Sequence, residues 1–454
     1  MHKVSRQDLH SFRENLKRQP QADVISRAIQ ANGINNAARD PQVKSQLNRT
    51  FSIDMKTSTI TDQKRAGFCW MFAALNMLRH YFIKKYHVKN FEFSSNYLFF
   101  WDKIERANVF FDHMIETANK STYDRAVDLY LNFPDDDGGE WEMAVALIEK
   151  YGLMPASAFP RTKVANNTMD FNMVLGLKLR RDGMLLRHLV QNHKSKAELH
   201  RAKMKMLAEV YRMAADAIGV PPKKFNLEYR DTKTRKPKKG ENKQAFEKKH
   251  RNADYHLVPN LTPLEFYHNY FKGINLEDFV SITNYPDKKM NQLYRQRSGD
   301  NVEGGKDIEF LNVPMKYLKK TAIQQIKDGW GVWFGNDVEQ QESQNDGYLD
   351  DHLYHRAQLF NVDLNMTKKQ RFQFLEATPS HAMTLTGVDL IHGEPTKWKV
   401  ENSWGSKVGE NGYFVMNDGW MNKYVYEVIV NKKYLTEHQR KLLRMKPIEL
   451  KPWE

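Results

Sequence analysis

The chain contains a single cysteine, Cys69, and the residues around it favour a chemical role. A lone cysteine is more often a small buried hydrophobe than a nucleophile. Here, however, Gly67 gives the preceding loop room to turn, and Cys69 begins a dense apolar segment that is typical of a buried helix. The unpaired N–H groups and the dipole of a helix start stabilise a thiolate, so the sequence predicts a nucleophilic thiol.

Gln63 precedes Cys69 by six positions and is the candidate for stabilising charge in a transition state. Its side-chain amide can donate a hydrogen bond beside the backbone N–H of Cys69. Together the two donors would hold the oxyanion of a tetrahedral intermediate. This pairing favours acyl transfer to sulfur as the reaction class.

The proton acceptor for the thiol must come from a distant part of the chain, and His381 is the candidate. It starts a strand-like run, and Asn402 lies 21 positions later at the end of a second strand-like segment. Two adjacent antiparallel strands would place the Asn402 amide on the imidazole and fix its tautomer. Trp404 would cover that hydrogen bond and exclude water from the substrate site. With the two residues above, His381 and Asn402 form a predicted catalytic set.

The elements that must position these residues are helices around the cysteine and strands in the last third of the chain. The apolar segment from Phe68 and the segment Glu140–Lys150 have helical spacing, and residues 169–218 have the composition of helices. Short β-branched and aromatic segments bounded by turn signals follow from about residue 331. The predicted fold class is α+β.

Composition places the chain among globular proteins, because 41% of its 454 residues are hydrophobic and 28% are charged. One cysteine excludes an intramolecular disulfide framework and favours a reducing compartment. No run of 18 apolar residues occurs, and the first residues lack the apolar stretch of a signal peptide. We therefore expect a cytoplasmic location and no membrane partner.

The net charge of +15 attracts polyanions, and the stretch Arg230–Arg251 is strongly basic with almost no apolar residues. A solvated excursion is the preferred interpretation of that stretch, and a surface for weak nucleic-acid binding is the alternative. A protein whose main role is nucleic-acid binding does not require a catalytic set such as the one above. The presence of that set favours an enzyme.

Two rival chemistries remain. Asp350, Asp351, His352 and His355 have a spacing that suits a helix-borne metal site, but exposed polar residues are the preferred interpretation, so we predict neither a metal nor another cofactor. A transglutaminase-like acyltransferase could use the same thiol and imidazole, because only the acceptor differs. Such enzymes usually orient the histidine with an aspartate, so Asn402 favours hydrolysis.

Several motifs resemble those of the papain-like cysteine peptidases, namely Gln63–Trp70, His381–Met383 and Glu401–Gly405. The resemblance is sharpest to the bleomycin hydrolase and aminopeptidase C branch, through Asp137–Trp141, Glu149–Pro155, Glu228–Asp231, Leu261–Tyr267, Val332–Gly335 and Tyr424–Glu427. It implies a thiol peptidase that removes N-terminal residues from peptide substrates and assembles as a homohexamer around a basic channel. In such an enzyme the catalytic residues would be Cys69, His381, Asn402 and Gln63.

The resemblance also implies a two-lobed fold, with a helical lobe, a β-barrel-like lobe and a large helical insertion. The separation between the cysteine and the histidine exceeds that of papain, so inserted mass must lie between them. We expect an N-terminal arm (1–60), a helical lobe with the nucleophile (61–164), a helical and basic insertion (165–310), a β-rich lobe with the histidine and asparagine (311–445) and a C-terminal tail (446–454).

Substrate contacts are expected from a loop rich in glycine and aspartate. By resemblance, Gly138 and Gly139 hydrogen-bond the substrate backbone, with a plain loop turn as the alternative. Neither glycine has a side chain that would block an approaching peptide. Asp137, together with Asp135 and Asp136, would attract the amino terminus of the substrate.

The last residues, Pro452-Trp453-Glu454, resemble the start of an arm that in this family lies in the cleft and holds the substrate ammonium. The small-residue segment that we expect after this start is missing. An open cleft would give endopeptidase or oligopeptidase action. Alternatively, Glu454, which carries two carboxylates, reaches the cleft itself.

Overall fold

The computed structural model describes residues 1–233 and 254–454. Most of the basic stretch Arg230–Arg251 lies outside the described residues, so its interpretation as a solvated or nucleic-acid-facing excursion stays a prediction. Among the residues that are described, no helix is both long enough and apolar enough to cross a membrane.

Helices dominate the first half of the described chain. In chain order the helices are α1 (Arg6–Arg18), α2 (Ala22–Asn32), α3 (Ile34–Ala38), α4 (Val43–Gln46), α5 (Cys69–Tyr86), α6 (Ser95–Glu116), α7 (Arg125–Asn132), α8 (Trp141–Tyr151), α9 (Lys163–Asn166), α10 (Met169–Gln191), α11 (Lys196–Ile218), α12 (Pro263–Tyr270), α13 (Met315–Lys327), α14 (Arg356–Phe360), α15 (Lys368–Gln373), α16 (Asp418–Tyr424) and α17 (Glu437–Leu442).

Strands dominate the second half. They are β1 (Ile53–Asp54), β2 (Phe225–Arg230), β3 (Tyr255–Leu261), β4 (Phe279–Thr283), β5 (Gln292–Arg295), β6 (Glu309–Asn312), β7 (Val332–Asn336), β8 (Glu342–Ser343), β9 (Tyr348–Leu349), β10 (His381–Ile391), β11 (Glu394–Glu401), β12 (Tyr413–Asn417), β13 (Val425–Asn431) and β14 (Ile448–Glu449). β2 and β3 form a separate hairpin. The other strands form one large sheet in the order β14-β5-β6-β4-β13-β7-β10-β11-β12-β9-β8, with β1 paired to β10.

α5 is the central helix and carries Cys69 at its first position, close to the predicted start. Its side chains are apolar on nearly all faces, so the helix is buried from several sides and has no continuous solvent-exposed face. It packs against α6 and α8 and against the strands β7 and β10. The helix ends at Tyr86, where His87 takes a left-handed conformation with φ of 57°.

α8 confirms the helix predicted over Glu140–Lys150, and Gly152 ends it as expected. Gly152 has φ of +81°, and a Cβ atom at this position would lie only 2.3 Å from the carbonyl oxygen of Pro263. Only glycine fits here, for both the backbone angle and the close approach. This contact fixes α8, and therefore the loop that precedes it, against the start of α12.

The helical stretch predicted over residues 169–218 consists of two helices, α10 and α11, which pack against α6 and against each other. The second begins with a capping box, in which Ser195 and Glu198 satisfy each other's backbone N–H groups. This local signal explains why the stretch is divided at this point.

β10 and β11 form the hairpin that holds the predicted histidine and asparagine. His381 begins β10 and pairs with Asn336 of β7, while Glu401 ends β11 opposite Thr384. The Thr384 hydroxyl donates to the carbonyl oxygen of Ala73 in α5 at 3.3 Å. The hairpin is thereby docked on the helix that carries Cys69.

The hydrophobic interior has two main parts. One lies among the helices around α5, and the other lies between the large sheet and the helices α13 and α16. Trp333 and Ile429 of the sheet belong to the helical part, so the two parts meet at β7 and β13. The predicted α+β class is confirmed.

The boundaries that we predicted for the segments stay a prediction. Within the segment 165–310, however, the structure is not helical throughout. β4 and β5 lie in it, β6 begins at its end, and all three join the large sheet through the pairing of β4 with β13. The three strands have four or five residues each, which is too short for a clear periodicity in the sequence.

Candidate active site

Cys69 lies in the first turn of α5, preceded by Phe68, which makes no side-chain cap. The backbone N–H groups of Ala382 and Trp70 lie close enough to the sulfur to act on the thiol and lower its pKa. Two chain segments, the start of the helix and the start of β10, therefore converge on one atom. These donors would stabilise negative charge on the sulfur.

Burial has the larger effect on the thiol. The residue is only 9% exposed, and burial raises the pKa of Cys69 to about 11 even though the N–H groups of Ala382 and Trp70 act in the opposite direction. The negative charge of Glu140 raises the pKa further. Desolvation of the thiolate therefore acts against the helix start, and the acidic thiol that the sequence predicts stays a prediction.

His381 is oriented by Asn402, as the sequence predicts. Its Nε2 lies 3.0 Å from Oδ1 of Asn402, and the same oxygen accepts the backbone N–H of Ser403 at 2.7 Å. Because an amide oxygen only accepts, Nε2 must carry the proton, and Nδ1 is left as the basic nitrogen. The Trp404 ring lies over the imidazole with centroids 4.8 Å apart, so it covers this hydrogen bond.

The imidazole of His381 is buried, and this burial disfavours its charged form. Burial lowers the pKa of His381 to about 4, while the hydrogen bond to Asn402 acts upward. His381 and Cys69 both line a cavity of about 110 Å³, which we call the thiol cavity. The structure shows no direct hydrogen bond between these two described side chains.

Gln63 is buried beside the thiol loop without bordering the thiol cavity. Its Nε2 donates to the carbonyl oxygen of Ala66 at 2.8 Å, and its backbone N–H donates to the carbonyl oxygen of Ser403 at 2.7 Å. These bonds hold Gln63 in the loop that precedes Cys69. The contact with Ala66 uses one N–H of the side-chain amide and does not use the other. The role of Gln63 in holding an oxyanion stays a prediction.

Gly138 and Gly139 both line the thiol cavity, next to Gly67. A Cβ atom on Gly139 would lie 2.7 Å from the indole of Trp70, which directly follows the cysteine. A Cβ atom on Gly138 would meet only the Asp136 carboxylate, at 3.0 Å. The loop therefore passes tightly over the start of α5, and its backbone borders the cavity without side chains.

Asp137 is buried and does not border the thiol cavity. Its Oδ1 forms an ion pair with Nζ of Lys103 at 2.6 Å, and its Oδ2 accepts the hydroxyl of Thr168 at 2.5 Å and the backbone N–H of Gly67 at 3.3 Å. The expected contact of Asp137 with a substrate ammonium is thus not what the structure shows. The carboxylate is occupied by internal partners and anchors the loop before the cysteine.

Asp135 and Asp136 border a second, adjacent cavity of about 360 Å³, which we call the aspartate cavity. It shares Gly138, Gly139 and Glu140 with the thiol cavity, so the two spaces are neighbours. Burial raises the pKa of Asp135 to about 6. The backbone carbonyl of Asp135 accepts a hydrogen bond from Lys103, which holds the loop in place.

Glu454 borders neither cavity. Its Oε2 accepts the backbone N–H of Lys451 at 2.9 Å, and the Trp453 ring lies under the guanidinium of Arg125. Just before it, β14 pairs with β5 and holds the tail against the sheet edge. The structure therefore does not bring Glu454 to Cys69, because pairing of the tail with β5 directs it elsewhere.

Four residues that border the thiol cavity did not stand out in the sequence, namely Glu140, Tyr285, Tyr426 and Glu427. Three of them lie within the blocks that carry the family resemblance, but their spacing gives no sign that they meet. Asn336 was missed as well, and its Nδ2 donates to the carbonyl oxygen of His381 at 3.1 Å. The pairing of β7 with β10 and β13 brings Asn336, Tyr426 and Glu427 to His381, while Glu140 and Tyr285 come from the start of α8 and just after the end of β4.

The rival metal cluster is dispersed. Asn417 donates to both Asp350 and Asp351, and Asp351 also pairs with Lys423 at 2.7 Å. His355 contacts Asp40 at 3.2 Å. Over residues 1–233 and 254–454, no group of three or more candidate ligands could hold a metal ion.

Comparison with known proteins gives consistent matches over nearly the full length. Aminopeptidase E of Lactobacillus helveticus is 46% identical over 453 residues, covering 100% of this chain and 99% of the relative. Aminopeptidase C of Lactobacillus delbrueckii subsp. lactis is 39% identical over 456 residues, with 99% and 97% coverage. The crystal structure of PepW from Lactobacillus rhamnosis HN001 superposes with a TM-score of 0.93 at 42% identity, covering 99% of this chain and 98% of that one.

The Peptidase C1-like family matches residues 3–454 of the chain. This match, the identities above and a thiol that shares a cavity with an asparagine-oriented histidine all point to the papain-like cysteine peptidases. The chain belongs to the Peptidase C1-like family.

Proposed function

We propose that this cysteine peptidase is an aminopeptidase that removes N-terminal residues from peptides in the cytoplasm. The observation that carries the proposal is the shared cavity of Cys69 and His381, with Nε2 of the imidazole held by Asn402. Relatives named aminopeptidase match over the whole chain and support the exopeptidase assignment.

The reaction begins with proton transfer from the Cys69 thiol to Nδ1 of His381. The thiolate then attacks the carbonyl carbon of the peptide bond, and the oxyanion accepts hydrogen bonds from the Cys69 backbone N–H and the Gln63 amide. The imidazolium returns its proton to the leaving amine, which gives the acyl-enzyme. Water that gives a proton to His381 attacks the thioester and releases the acid.

The pKa shifts of Cys69 and His381 act against either charge forming alone. Burial disfavours the thiolate and the imidazolium separately, but the transfer creates both charges together, so each stabilises the other. The N–H groups of Ala382 and Trp70 favour the thiolate, and the Asn402 oxygen favours the imidazolium. These contacts are in place before the reaction and need no reorganisation.

We also propose that the chain assembles as a homohexamer. Three apolar side chains recur on one face of α1 and are 48–62% exposed, namely Leu9, Phe12 and Leu16. None of the residues of α1 is buried in the single chain, so this face supports a contact with another copy.

The net charge of +15 supports no more than weak, salt-sensitive contact with nucleic acid.

The test uses matched fluorogenic peptides with free and N-acetylated amino termini. We expect release of the fluorophore from the free-amine peptides only, with stepwise loss of N-terminal residues from a longer peptide by mass spectrometry. Equal rates on free and acetylated peptides would contradict the exopeptidase assignment and indicate endopeptidase or oligopeptidase action. A His381→Ala variant is the control for hydrolysis by any other route.

A further inference from the structure

The thiol cavity has an acidic wall that the mechanism above does not use. Glu140 and Glu427 border the cavity together with Cys69 and His381, and the carboxyl groups of the two glutamates contact each other. Glu140 lies at the start of α8, and Glu427 lies in β13. Two carboxyl groups from distant parts of the chain thus meet beside the nucleophile.

Glu427 is only 8% exposed, yet only one of its carboxyl oxygens accepts from a hydroxyl or N–H group of the described residues. That oxygen, Oε1, accepts the hydroxyl of Ser281. The other, Oε2, lies on the side of Gly335, which also borders the thiol cavity. The carboxyl group of Glu140 faces the carboxyl group of Glu427. A largely buried carboxyl group beside a substrate cavity, with one oxygen that no described hydroxyl or N–H group reaches, is ready for a donor from the ligand.

Among the described residues no cation offsets the charge of the pair. Glu142 acts on Glu140, Tyr285 and Cys69 respond to the charge of the pair, and all three are acids. Lys306 acts on Glu142 but is itself ion-paired with Glu277 at 2.7 Å. Burial, followed by the charges of Glu427 and Glu142, raises the pKa of Glu140 well above its usual range. A positively charged ligand group at this place would therefore relieve the repulsion between the two carboxyls.

The other candidates for recognising a cation are occupied or lie elsewhere. Asp137 is paired with Lys103, and Glu454 does not reach the thiol cavity. Asp135 and Asp136 border only the neighbouring aspartate cavity. The glutamate pair is the acidic group in direct contact with the space that the reacting peptide must enter.

We infer that Glu140 and Glu427 form a subsite that binds a positively charged group of the peptide, either its α-ammonium or a lysine or arginine side chain. This inference rests on the proposed function insofar as the ligand is a peptide. An ammonium group would donate hydrogen bonds to both carboxyls and offset their mutual repulsion. Peptides without a positive charge would forgo this ion pair.

The experiment compares Glu140→Gln and Glu427→Gln with the wild type on two pairs of fluorogenic substrates. One pair is Ala-Ala with a free or acetylated amino terminus, and the other is Lys-Ala against norleucyl-Ala, both with free amino termini. We expect the wild type to favour the charged member of at least one pair by ten-fold or more in kcat/KM. Each glutamine variant should lower that ratio by about ten-fold, mainly through KM, because glutamine keeps the shape and loses the charge.

The matched control is Glu149→Gln, which removes one charge from the same helix α8 at an exposed position outside the thiol cavity. This variant should keep the wild-type ratio. A preference for the charged substrate in the first pair alone identifies the α-ammonium as the ligand. A preference for the charged substrate in the second pair identifies the side chain. Wild-type ratios in both glutamate variants would overturn the inference.

A binding measurement separates this inference from the proposed function. In a Cys69→Ala background, calorimetry with Ala-Ala amide and its acetylated form, and with the lysine and norleucine amides, reports recognition without hydrolysis. Tighter binding of a charged peptide that disappears with Glu427→Gln supports the subsite even if no substrate is cleaved. Equal binding of charged and neutral peptides overturns it, whatever the hydrolytic activity. Thermal unfolding of each variant shows whether it is folded.

Discussion

At the residue scale, Asn402 decides which nitrogen of the imidazole is basic. Its Oδ1 accepts from both the Ser403 backbone N–H and Nε2 of His381, so its orientation is fixed from two directions. The ring of Trp404 covers this contact. An asparagine is sufficient for the task because the ring needs an acceptor at Nε2 and does not need a second negative charge.

The acidity of the imidazole gives the first prediction. A protonated ring cannot accept the thiol proton, so kcat/KM should fall as the pH falls through about 4, the value to which burial lowers the pKa of His381. The hydrogen bond to Asn402 raises that pKa. Asn402→Ala should therefore shift the acidic limb of the pH profile to lower pH and reduce kcat.

The measurement is kcat/KM from pH 3 to 8, with Asn365→Ala, an exposed asparagine outside the thiol cavity, as the control. The control should keep the wild-type limb. An acidic limb that stays in place or moves to higher pH in Asn402→Ala would show that this hydrogen bond does not stabilise the imidazolium.

Residue types and spacing indicated Cys69, His381 and Asn402 in the sequence, since few residue types can perform these steps; the structure brings the three together, and their catalytic roles stay a prediction. The pairing of Asp137 with Lys103 could not be predicted, because Lys103 lies on α6 and no local pattern indicates the contact. Glu140 and Glu427 were not identified as a pair for a related reason. Their meeting depends on how α8 lies against β13.

At the element scale, a buried ion-pair cluster joins α5 to the end of β11. Glu401 is fully buried, and its two oxygens accept from Nη2 of Arg79 at 2.6 Å and lie 2.7 Å from Nε2 of His80. Asn402 follows directly in the chain. The cluster therefore holds the element that orients the histidine against the helix that carries the cysteine.

Removing Glu401 should be costly, because it leaves the guanidinium of Arg79 buried without a counter-charge. We expect Glu401→Ala to lower the free energy of unfolding by roughly 3–5 kcal/mol. Urea unfolding measures the change. The exposed pair of Glu14 and Lys17 provides the control, since Glu14→Ala should cost no more than about 1 kcal/mol. Equal effects of the two variants would mean that the cluster does not join the elements.

The glycine loop gives a second prediction at this scale. Gly139→Ala should displace Trp70, whose indole would lie 2.7 Å from the new Cβ atom, whereas Gly138→Ala meets only a flexible carboxylate at 3.0 Å. Overpacking of a filled interior typically costs about 1–3 kcal/mol. Thermal unfolding should therefore show a lower midpoint for Gly139→Ala than for Gly138→Ala. The reverse order would contradict the tight passage of this loop over α5.

Helices whose start or end carries a local sequence signal could be predicted well. The apolar start of α5 and the glycine stop of α8 are local signals, and both are found where expected. The strands β4 to β6 could not be predicted, because each is short and β4 and β6 pair in parallel through a long connection. Their place in the sheet is set by tertiary packing.

At the scale of the whole molecule, the thiol cavity lies where the helical and sheet parts of the interior meet. Cys69 comes from a helix, while His381, Tyr426 and Glu427 come from the sheet. Neither part holds a complete site. The resemblance of separate motifs indicated this arrangement from the sequence, but composition and charge alone did not.

The proposed assembly belongs to this scale. Light scattering should give a mass near six times the 53.4 kDa of one chain. Phe12→Asp should lower that mass, because it places a charge in the apolar face of α1, where Phe12 is 59% exposed. Ser11→Asp adds the same charge off that face and should leave the mass unchanged. A wild-type mass of one chain, or no effect of Phe12→Asp, would contradict a contact through α1.

The most direct test of the account is alkylation of the thiol, because Cys69 is the only cysteine in the chain and each label reports on it alone. The protein is treated with iodoacetamide for increasing times, and the labelled fraction from mass spectrometry is compared with the remaining peptide hydrolysis. We predict that activity falls in proportion to the labelled fraction and reaches zero at one label per chain. Fully labelled protein that still hydrolyses peptides at the original rate would show that Cys69 is not the nucleophile.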